Sequence, residues 1–440
     1  MKIVLANWGS RGEVEPFAVL ARELLRRGHD VYLVVAPDMV SFAESAGPKA
    51  VAYGPTVQAV IEPHQEYFAL LFSKPWRVRD LARLVRKFAD PIDQGRGEAC
   101  NTLMATSDGA DLLVTGMNYE GIAANVAEYR NIALATLQHF PLRVNGHLLP
   151  VLPASLGRAA MRVSEWLAWR GHRVDDDAQR SELGLPKSTG HWTRRIAERG
   201  AMEIQAYDAV CFPGLADEWA NWNAQSPPLR PFVGALTLEM PAGDDEDVKS
   251  WIAEGTPPIF FGFGSMPMES AGDTIVMIAR ACAQLGERAL IGAGVADFSS
   301  VPKFEHVKVV GTINYAEVFP TCRAIVHHGG SGTTNAGLRS GRPTMILWRL
   351  PDQAIWARRL KRLKVGTGRR FLATTEEKLV KDLGKILAPE YRTQAGKLAA
   401  RMSKPSGSAS AAADLIEKLG RNNVEPDTQP RTPPDSAAAR

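Results

Sequence analysis

Residues 324–338 have the sequence A-I-V-H-H-G-G-S-G-T-T-N-A-G-L. Residues 324–326 predict the end of a buried strand, residues 327–332 a glycine-rich turn, and residues 333–340 a helix. A strand, a tight turn and a helix bind phosphate well, because small residues let the backbone approach an anion and the helix N-terminus directs unpaired N–H groups at it. The stretch therefore predicts a phosphate site.

A second unit follows this turn. Residues 344–348 predict another buried strand, and Asp352 and Gln353 come shortly after it. A carboxylate beside a primary amide supplies the acceptors and donors that match neighbouring hydroxyl groups. The sequence therefore predicts a hydroxyl-binding pair beside the phosphate turn.

The N-terminus opens with a similar order of elements. Residues 2–6 predict a buried strand, residues 7–15 (N-W-G-S-R-G-E-V-E) a glycine-containing loop, residues 16–27 a helix and residues 31–35 a second strand. This order starts a doubly wound α/β sheet. The loop lacks the third glycine of the dinucleotide fingerprint, which argues against a dehydrogenase.

The second half repeats this plan after an acidic run that predicts a linker, and its first strand ends in a second glycine loop, G-F-G-S at residues 262–265. The residues between the halves include a short apolar run, 209–212, that predicts a further strand. We therefore expect an α/β fold of two Rossmann-like, doubly wound domains that face a cleft. The expected segments are a first domain over 1–240, a second domain over 241–402, a C-terminal helix over 403–420 that can cross back to the first domain, and a disordered tail over 421–440.

The amino-acid composition limits the classes of protein to which the chain can belong. The 440 residues are 45% hydrophobic and 23% charged with a net charge of +4, which suits two or three globular domains and demands no nucleic-acid partner. The four cysteines lie far apart without a C-x-x-C motif, which favours buried thiols in a reducing compartment. No apolar run approaches the ~18 residues of a membrane span, so we expect a cytoplasmic protein.

A basic and aromatic segment, residues 74–88, interrupts the first predicted domain. Lys and Arg residues alternate there with apolar residues such as Leu81, Val85 and Phe88. This pattern is typical of a helix that contacts an acceptor or the inner face of the plasma membrane, and equally of a solvated helix over a local core. Both interpretations stay open at this point.

Several motifs in register carry a family resemblance that covers residues 1–420. H-H-G-G-S-G-T-T followed by D-Q, and G-S-R-G-E-V-E-P in the first loop, resemble the GT-B glycosyltransferases of the UDP-glycosyltransferase-like family. R-R-G-H-D-V, H-F-P-L-R-V-N-G and F-G-F-G-S-M are similar to mycobacterial enzymes that glycosylate phenolic glycolipids and glycopeptidolipids. The resemblance implies an acceptor-binding first domain and a second domain that binds a nucleotide-diphosphate sugar, linked to dTDP or UDP.

The resemblance also implies a set of donor-binding residues. These are Ser10, Arg11, Gly12, Ser265, Ile313, Asn314, His328, Gly330, Ser331, Gly332, Thr333, Asp352 and Gln353. In the family, residues at the positions of His328 and its glycine turn bind the diphosphate, and the Asp-Gln pair binds the sugar hydroxyls. The backbone near Ile313 would hold the nucleobase.

The catalytic base departs from the family pattern. Many members use a histidine in the first loop, but no histidine precedes His29 here, and Glu13 stands where the bacterial subgroup has Asp. A carboxylate at the mouth of a dry cleft accepts a hydroxyl proton, and burial raises its pKa toward the useful range. Glu13 is the expected base, with His139 in reserve. The alternative for Glu13 is a carboxylate that only stabilises a helix N-terminus.

The implied chemistry is a displacement at the anomeric carbon with inversion, without a metal or another cofactor. His328 and the helix N-terminus near Thr333 would stabilise the diphosphate leaving group. The acidic runs at 175–177 and 245–247 have D-x-D spacing but lie away from the phosphate loops, so we expect no metal site there.

Three functions follow from these patterns. The first is an inverting hexosyltransferase that moves a hexose or deoxyhexose, such as rhamnose, to a hydroxyl of a cell-envelope glycolipid or its precursor. The second is the same chemistry on a soluble natural product or a sterol. The third is a catalytically weak sugar-nucleotide-binding protein, which the glutamate at position 13 permits.

Overall fold

The computed structural model describes residues 1–148, 152–225, 229–238, 245–264, 271–292 and 302–424. Within these ranges the strands are β1 (Lys2–Ala6), β2 (Asp30–Val35), β3 (Lys49–Ala52), β4 (Leu112–Thr115), β5 (Ala133–Gln138), β6 (Met202–Gln205), β7 (Ile259–Gly262), β8 (Ala289–Gly292), β9 (Val307–Val310), β10 (Ala324–His327), β11 (Thr344–Trp348) and β12 (Gly366–Arg370). The α-helices are α1 (Arg11–Arg26), α2 (Val40–Ser45), α3 (Val57–Ser73), α4 (Val78–Gln94), α5 (Arg96–Thr106), α6 (Glu120–Arg130), α7 (Ala154–Glu182), α8 (Trp192–Glu198), α9 (Leu215–Gln225), α10 (Asp245–Ala253), α11 (Ala271–Gln284), α12 (Tyr315–Val318), α13 (Ser331–Arg339), α14 (Pro351–Leu363), α15 (Glu376–Ile386), α16 (Pro389–Ala399) and α17 (Pro405–Val424).

The described strands form two parallel sheets of six strands each. The first has the order β3-β2-β1-β4-β5-β6, and Ile3 in its centre pairs with both Val31 and Leu112. The second has the order β12-β11-β10-β7-β8-β9. Counted within each half, both orders are the doubly wound Rossmann order. The predicted α/β fold with two Rossmann-like domains is therefore confirmed.

Each sheet reverses its strand order at one place, and open α/β sheets bind ligands outside the carboxyl ends of the strands there. The reversal lies between β1 and β4 in the first sheet and between β7 and β10 in the second. The loops that leave these four strands contain residues 7–10, 116–119, 263–264 and 328–330. The topology therefore places the predicted glycine loops at the two crevices.

Apolar cores cover both faces of each sheet. In β1, Ile3 and Leu5 point into one cluster, while Val4 and Ala6 point into another. A further cluster joins the two halves, because the buried ring of Trp356 lies 6.1 Å from Phe140 and 5.1 Å from Phe212. Complete burial of an aromatic ring contributes roughly 1.5–3 kcal/mol. This shared core holds the two sheets against each other.

Helix α17 packs on the first sheet. Ala412, Ala413 and Ile416 are buried in the core that includes α1, and Arg27 Nη1 lies 2.6 Å from Asp414 Oδ1. The predicted start of the tail is wrong, because α17 continues to Val424. Gly420 is a common helix-ending residue, but the helix continues through it and ends before Pro426, which cannot donate a helical hydrogen bond. Residues 425–440 of the predicted tail lie outside the described residues.

Two other predictions in the first half differ from the structure. The predicted strand at 209–212 is a 3-10 helix, Ala209–Cys211, and the sixth strand is Met202–Gln205. Strand β6 contains Glu203, which is fully buried, and Arg230 Nε donates to its carboxylate at 2.7 Å. Because this buried residue is ion-paired and polar, β6 lacks the continuous apolar run by which a buried strand is predicted. The predicted domain boundary at residue 240 lies outside the described residues.

Two predictions from composition bear on the interior and on membranes. The four cysteines are free and buried, as predicted. Among the described helices, none combines the length and the apolar character needed to cross a membrane.

Candidate active site

The phosphate turn follows the buried strand β10. The N–H of Gly329 donates to Nδ1 of the fully buried His327 at 3.0 Å, which fixes the start of the turn. In α13 the first helical bond runs from the Thr334 N–H to the Gly330 carbonyl at 2.9 Å. The N–H groups of residues 331–333 therefore precede the helical hydrogen-bond ladder and are available to an anion.

The imidazole of His328 lies where the two glycine loops of the second domain meet. A Cβ on Gly264 would lie 2.8 Å from His328 Cε1, and a Cβ on Gly330 would lie 2.6 Å from its Nε2. Gly264 also has a φ of +61°, which favours glycine. Burial lowers the pKa of His328 to about 4, so the ring is neutral near pH 7. Ser265, the predicted partner in this loop, lies outside the described residues.

The start of α13 also meets the first domain. Ser331 Oγ donates to the His139 carbonyl at 3.1 Å. A small cavity beside this bond is lined by Gly12 of α1, His139 and Gly332 of α13, among other residues. The first turns of α1 and α13 therefore border one cavity, and the positive ends of both helix dipoles favour an anion there.

Glu13 lies in the first turn of α1, in a capping box with Ser10. The Ser10 N–H donates to Glu13 Oε2 at 2.6 Å, and Asn118 Nδ2 donates to Oε1 at 3.1 Å. Gly9 has a φ of +153°, and a Cβ there would lie 2.4 Å from Glu13 Oε2. Burial raises the pKa of Glu13, and these hydrogen bonds oppose the rise. Glu13 therefore caps the N-terminus of α1, as the alternative interpretation predicted, and the pKa of the same carboxyl group is raised.

Asp352 and Gln353 occupy the first turn of α14. Gln353 is buried, and its Oε1 accepts from the N–H groups of Arg349 and Leu350 at 2.9 and 3.1 Å. Asp352 is exposed at the protein surface. Desolvation by the protein around its carboxyl group raises the pKa to about 6, and the negative charge of Glu13 in the other domain adds a smaller rise. Gln353 therefore caps the first turn of α14, whereas Asp352 lies at its surface.

The predicted nucleobase region precedes α12. Ile313 is buried, while Asn314 accepts from the Ala316 N–H at 3.1 Å and its own N–H donates to Asp245 at 2.8 Å. The following residue, Tyr315, begins α12, and α12 packs against α13. The predicted base region therefore adjoins the helix that follows the glycine turn.

The predicted first-loop residue Arg11 lies beside Glu15. Arg11 is exposed, and its Nε lies 3.8 Å from Glu15 Oε2. Glu15 accepts from the Leu238 N–H at 2.9 Å, which ties α1 to the chain that leaves the first domain. Burial raises the pKa of Glu15.

Known proteins resemble the second half of the chain in one comparison and almost the whole chain in the others. Residues 272–417 match the family described as erythromycin biosynthesis protein CIII-like, C-terminal domain. An uncharacterized glycosyltransferase of Mycobacterium leprae (strain TN) is 53% identical over 427 residues, which cover 96% of this chain and 98% of that protein. The chain belongs to the UDP-glycosyltransferase-like family of GT-B glycosyltransferases. The vancomycin aglycone glucosyltransferase of Amycolatopsis orientalis is 26% identical over 96% of this glycosyltransferase and 98% of its own length.

Solved glycosyltransferase structures share the fold at low sequence identity. The kitacinnamycin glycotransferase has a TM-score of 0.70 at 16% identity and covers 95% of this chain and 98% of its own. The glycosyltransferase VinC, solved with dTDP, has a TM-score of 0.60 at 16% identity and covers 96% of this chain and 100% of its own. These likenesses extend over both Rossmann-like domains.

Two residues of the glycosyltransferase cleft were missed from the sequence. Asn118 follows β4, the strand beside β1, so its place at the carboxyl edge of the sheet could have indicated it. Glu15 had no such signal, because its partner Leu238 comes from a distant part of the chain.

The acidic runs at residues 175–177 and 245–247 of the glycosyltransferase form ion pairs and hydrogen bonds with other segments of the chain. Asp176 pairs with Arg195 Nη1 at 2.8 Å, and Asp177 accepts from the Ser188 N–H at 2.8 Å. Asp247 pairs with Lys308 at 2.7 Å. These carboxylates connect neighbouring segments of the fold.

Proposed function

We propose that this glycosyltransferase moves a hexose or deoxyhexose, such as rhamnose, with inversion from a dTDP- or UDP-linked donor to a hydroxyl of a cell-envelope glycolipid or its precursor. The observation that carries the proposal is geometric: the first turns of α1 and α13, which belong to different domains, border one cavity. A base on one wall and a sugar-binding carboxylate on the other fit a transfer between the domains.

The donor diphosphate would occupy the cavity between the first turns of α1 and α13. The N–H groups of residues 331–333, the hydroxyl of Thr333 and the neutral ring of His328 would bind its oxygens, and Ser10, Arg11 and Gly12 would close from the other wall. Dipoles fixed before the reaction stabilise the negative charge that develops on the leaving group. This arrangement needs no metal ion, and the backbone near Ile313 and Asn314 would hold the base.

Asp352 would bind hydroxyl groups of the donor sugar. Its carboxylate is exposed and is ionised above about pH 6, so it would accept hydrogen bonds from two neighbouring hydroxyls. Gln353 would act mainly by fixing the first turn of α14, because its Oε1 is already bonded to two backbone N–H groups.

Glu13 would take the proton of the acceptor hydroxyl. The oxygen of that hydroxyl then forms a bond to the anomeric carbon as the bond to the diphosphate breaks on the opposite face, which inverts the centre. A raised pKa makes the carboxylate a stronger base. His139 is the reserve base: burial lowers its pKa to about 4, which keeps the ring neutral at pH 7 but makes it a weaker base than an ordinary histidine.

The acceptor would contact an aromatic row on α3 that reaches the second domain. Phe68 stacks on Phe72 at 5.8 Å, and Phe72 lies edge-on to Trp348 at 5.8 Å, four residues before Asp352. His64 and Phe88 continue the row away from the cleft. Rings partly open to solvent suit an apolar or aromatic acceptor, which supports a lipid-linked phenol or sugar.

Peripheral membrane contact on the cytoplasmic side would involve the predicted segment 74–88. This segment forms the α3–α4 connection and most of α4, and Trp76 at its tip is 72% exposed. Of its other apolar side chains, Val78 is exposed but Leu81 is buried, so the local core in the alternative interpretation exists as well.

The proposal is tested by incubating the purified protein with labelled dTDP-rhamnose, dTDP-glucose and UDP-glucose, each with a phenolic lipid, a sterol or no acceptor. Transfer to the phenolic lipid supports it. Transfer only to the sterol or to a soluble aglycone would favour the second function, to which the vancomycin-related similarity gives some support. Donor binding without transfer or hydrolysis would favour the third.

A further inference from the structure

The outward face of α7 carries a row of exposed apolar side chains. Leu156, Val163, Leu167 and Val174 are 56%, 57%, 57% and 78% exposed. Their spacings of seven, four and seven residues place them on one side of the helix, over about 27 Å. A contiguous apolar row of this kind on a globular protein marks an interaction surface.

The C-terminal end of α7 is held by polar contacts, while Met161 nearer its N-terminal end packs against the core shared by the two halves. Asn125 Nδ2 donates to Asp176 at 2.9 Å, and Arg180 Nη1 donates to Asn125 at 2.8 Å. Arg180 also pairs with Glu128 at 2.9 Å. These bonds fix the orientation of the helix on α6, so its apolar row points away from the protein.

A second row borders the apolar one. Arg162, Trp166, Arg170 and Arg173 follow each other at helical spacings along one flank, and all four are exposed. The Arg170 guanidinium lies 5.1 Å from the centre of the Trp166 ring. Arg158 and Arg173 have carboxylate partners, because Arg158 lies 3.5 Å from Glu218 and Arg173 lies 3.5 Å from Asp177. Arg162 and Arg170 therefore supply the positive charge of this flank.

We propose that this face of α7, which we call the α7 face, binds the surface of an anionic lipid bilayer. The apolar row would enter the boundary between headgroups and acyl chains, and the arginine and tryptophan row would lie among anionic headgroups, where both residue types are stable. Antiparallel pairing of two copies through the same face would set one arginine row against the other, which like charges disfavour. The charge pattern therefore selects lipid over a second copy.

The proposal is tested by vesicle co-sedimentation of the full chain, without donor or acceptor. Vesicles of phosphatidylcholine with about a third of phosphatidylglycerol are compared with phosphatidylcholine alone at low salt. The double variant Val163→Glu with Leu167→Glu should weaken binding to the anionic vesicles at least ~10-fold. Arg162→Gln with Arg170→Gln should weaken it several-fold and reduce its salt dependence.

Matched variants separate this face from other surfaces. Tyr129→Glu changes an exposed apolar side chain on α6 and should bind vesicles like the wild type. Trp76→Glu alters the α3–α4 connection. Wild-type binding by both α7 double variants, or loss of binding only in Trp76→Glu, overturns the proposal. A wild-type dimer that Leu167→Glu dissociates, without vesicle binding, also overturns it.

The lipid-binding role of the α7 face rests on the proposed function, in which the acceptor is a lipid. Each of the two proposals can nevertheless be contradicted on its own. Vesicle binding through α7 together with transfer only to soluble acceptors would remove the lipid acceptor and keep the α7 face. Lipid glycosylation with no vesicle binding would keep the lipid acceptor and rule out lipid binding by the α7 face. An unchanged thermal shift on addition of a nucleotide sugar confirms that each variant is folded.

Discussion

Asn118 Nδ2 lies 3.1 Å from Glu13 Oε1, and this bond joins the loop after β4 to the first turn of α1. The Ser10 N–H bonds the other carboxylate oxygen. These donors favour the ionised carboxylate, while burial, the larger effect, favours the protonated form and raises the pKa. Glu13 is thus both a helix cap and a carboxylate prepared to accept a proton.

Asn118→Ala should move the acid limb of the pH profile of kcat to higher pH, by about 0.5–1 unit. The variant removes a hydrogen bond that lowers the pKa of Glu13, so a higher pH is needed to ionise the base. The profile is measured from about pH 5 to 9 with a saturating donor. An acid limb at the wild-type position would mean that Asn118 does not act through Glu13.

The KM for the donor should rise as the pH falls through about 6, because protonation of Asp352 replaces an acceptor with a poorer one. Asp352→Asn should have a high donor KM that does not change across this range, with the acceptor KM close to that of the wild type. Steady-state kinetics at several pH values test this. A wild-type pH dependence in the variant would remove Asp352 from the sugar site.

The same raised pKa predicts a stability change. A carboxyl whose pKa is higher in the folded than in the unfolded chain loses stability as the pH rises from about 4 to 6. Asp352→Asn should therefore be more stable than the wild type at pH 7.5, by about 1 kcal/mol after allowance for solvent in the cleft. Urea unfolding at pH 4 and 7.5 measures it. Equal stability of both proteins at pH 7.5 would contradict the prediction.

Gly264→Ala should weaken donor binding about 10-fold, because the new Cβ would lie 2.8 Å from His328 Cε1 and displace the ring. Gly286→Ala is the matched control, since Gly286 has a φ of +66° but no atom within 4 Å of the added Cβ. Both variants acquire similar backbone strain, and only one collides with His328. Equal donor affinities in calorimetry would show that the His328 contact is irrelevant to the donor.

Phe72→Ala should raise the KM for a lipid acceptor several-fold and leave donor affinity unchanged. The variant removes the ring between Phe68 and Trp348 but keeps the Phe72 carbonyl, which accepts from Arg370 Nη1 at 3.0 Å. Tyr129→Ala controls for the loss of an exposed ring elsewhere. An unchanged acceptor KM would place the acceptor away from the aromatic row.

The sequence predicted the two sheets and the strand, turn and helix at residues 324–339 because they depend on local patterns. Apolar runs lie just before Gly262 and His327, and glycines follow each run, so strand and turn are visible within ten residues. The meeting of Gly264 with His328 depends on β7 pairing with β10, which only the sheet order supplies. Glu203 and Trp356 show the same limit, since their partners lie far away along the chain.

The central claim, that Glu13 is the base, is tested most directly by Glu13→Gln. The amide oxygen of glutamine can still accept from the Ser10 N–H, so the cap remains while the base is lost. Single-turnover transfer of a labelled sugar should slow at least ~100-fold, with the Kd for the nucleotide sugar unchanged. His139→Gln, measured in parallel, should stay within a few-fold of the wild type. A wild-type transfer rate in Glu13→Gln would contradict the account.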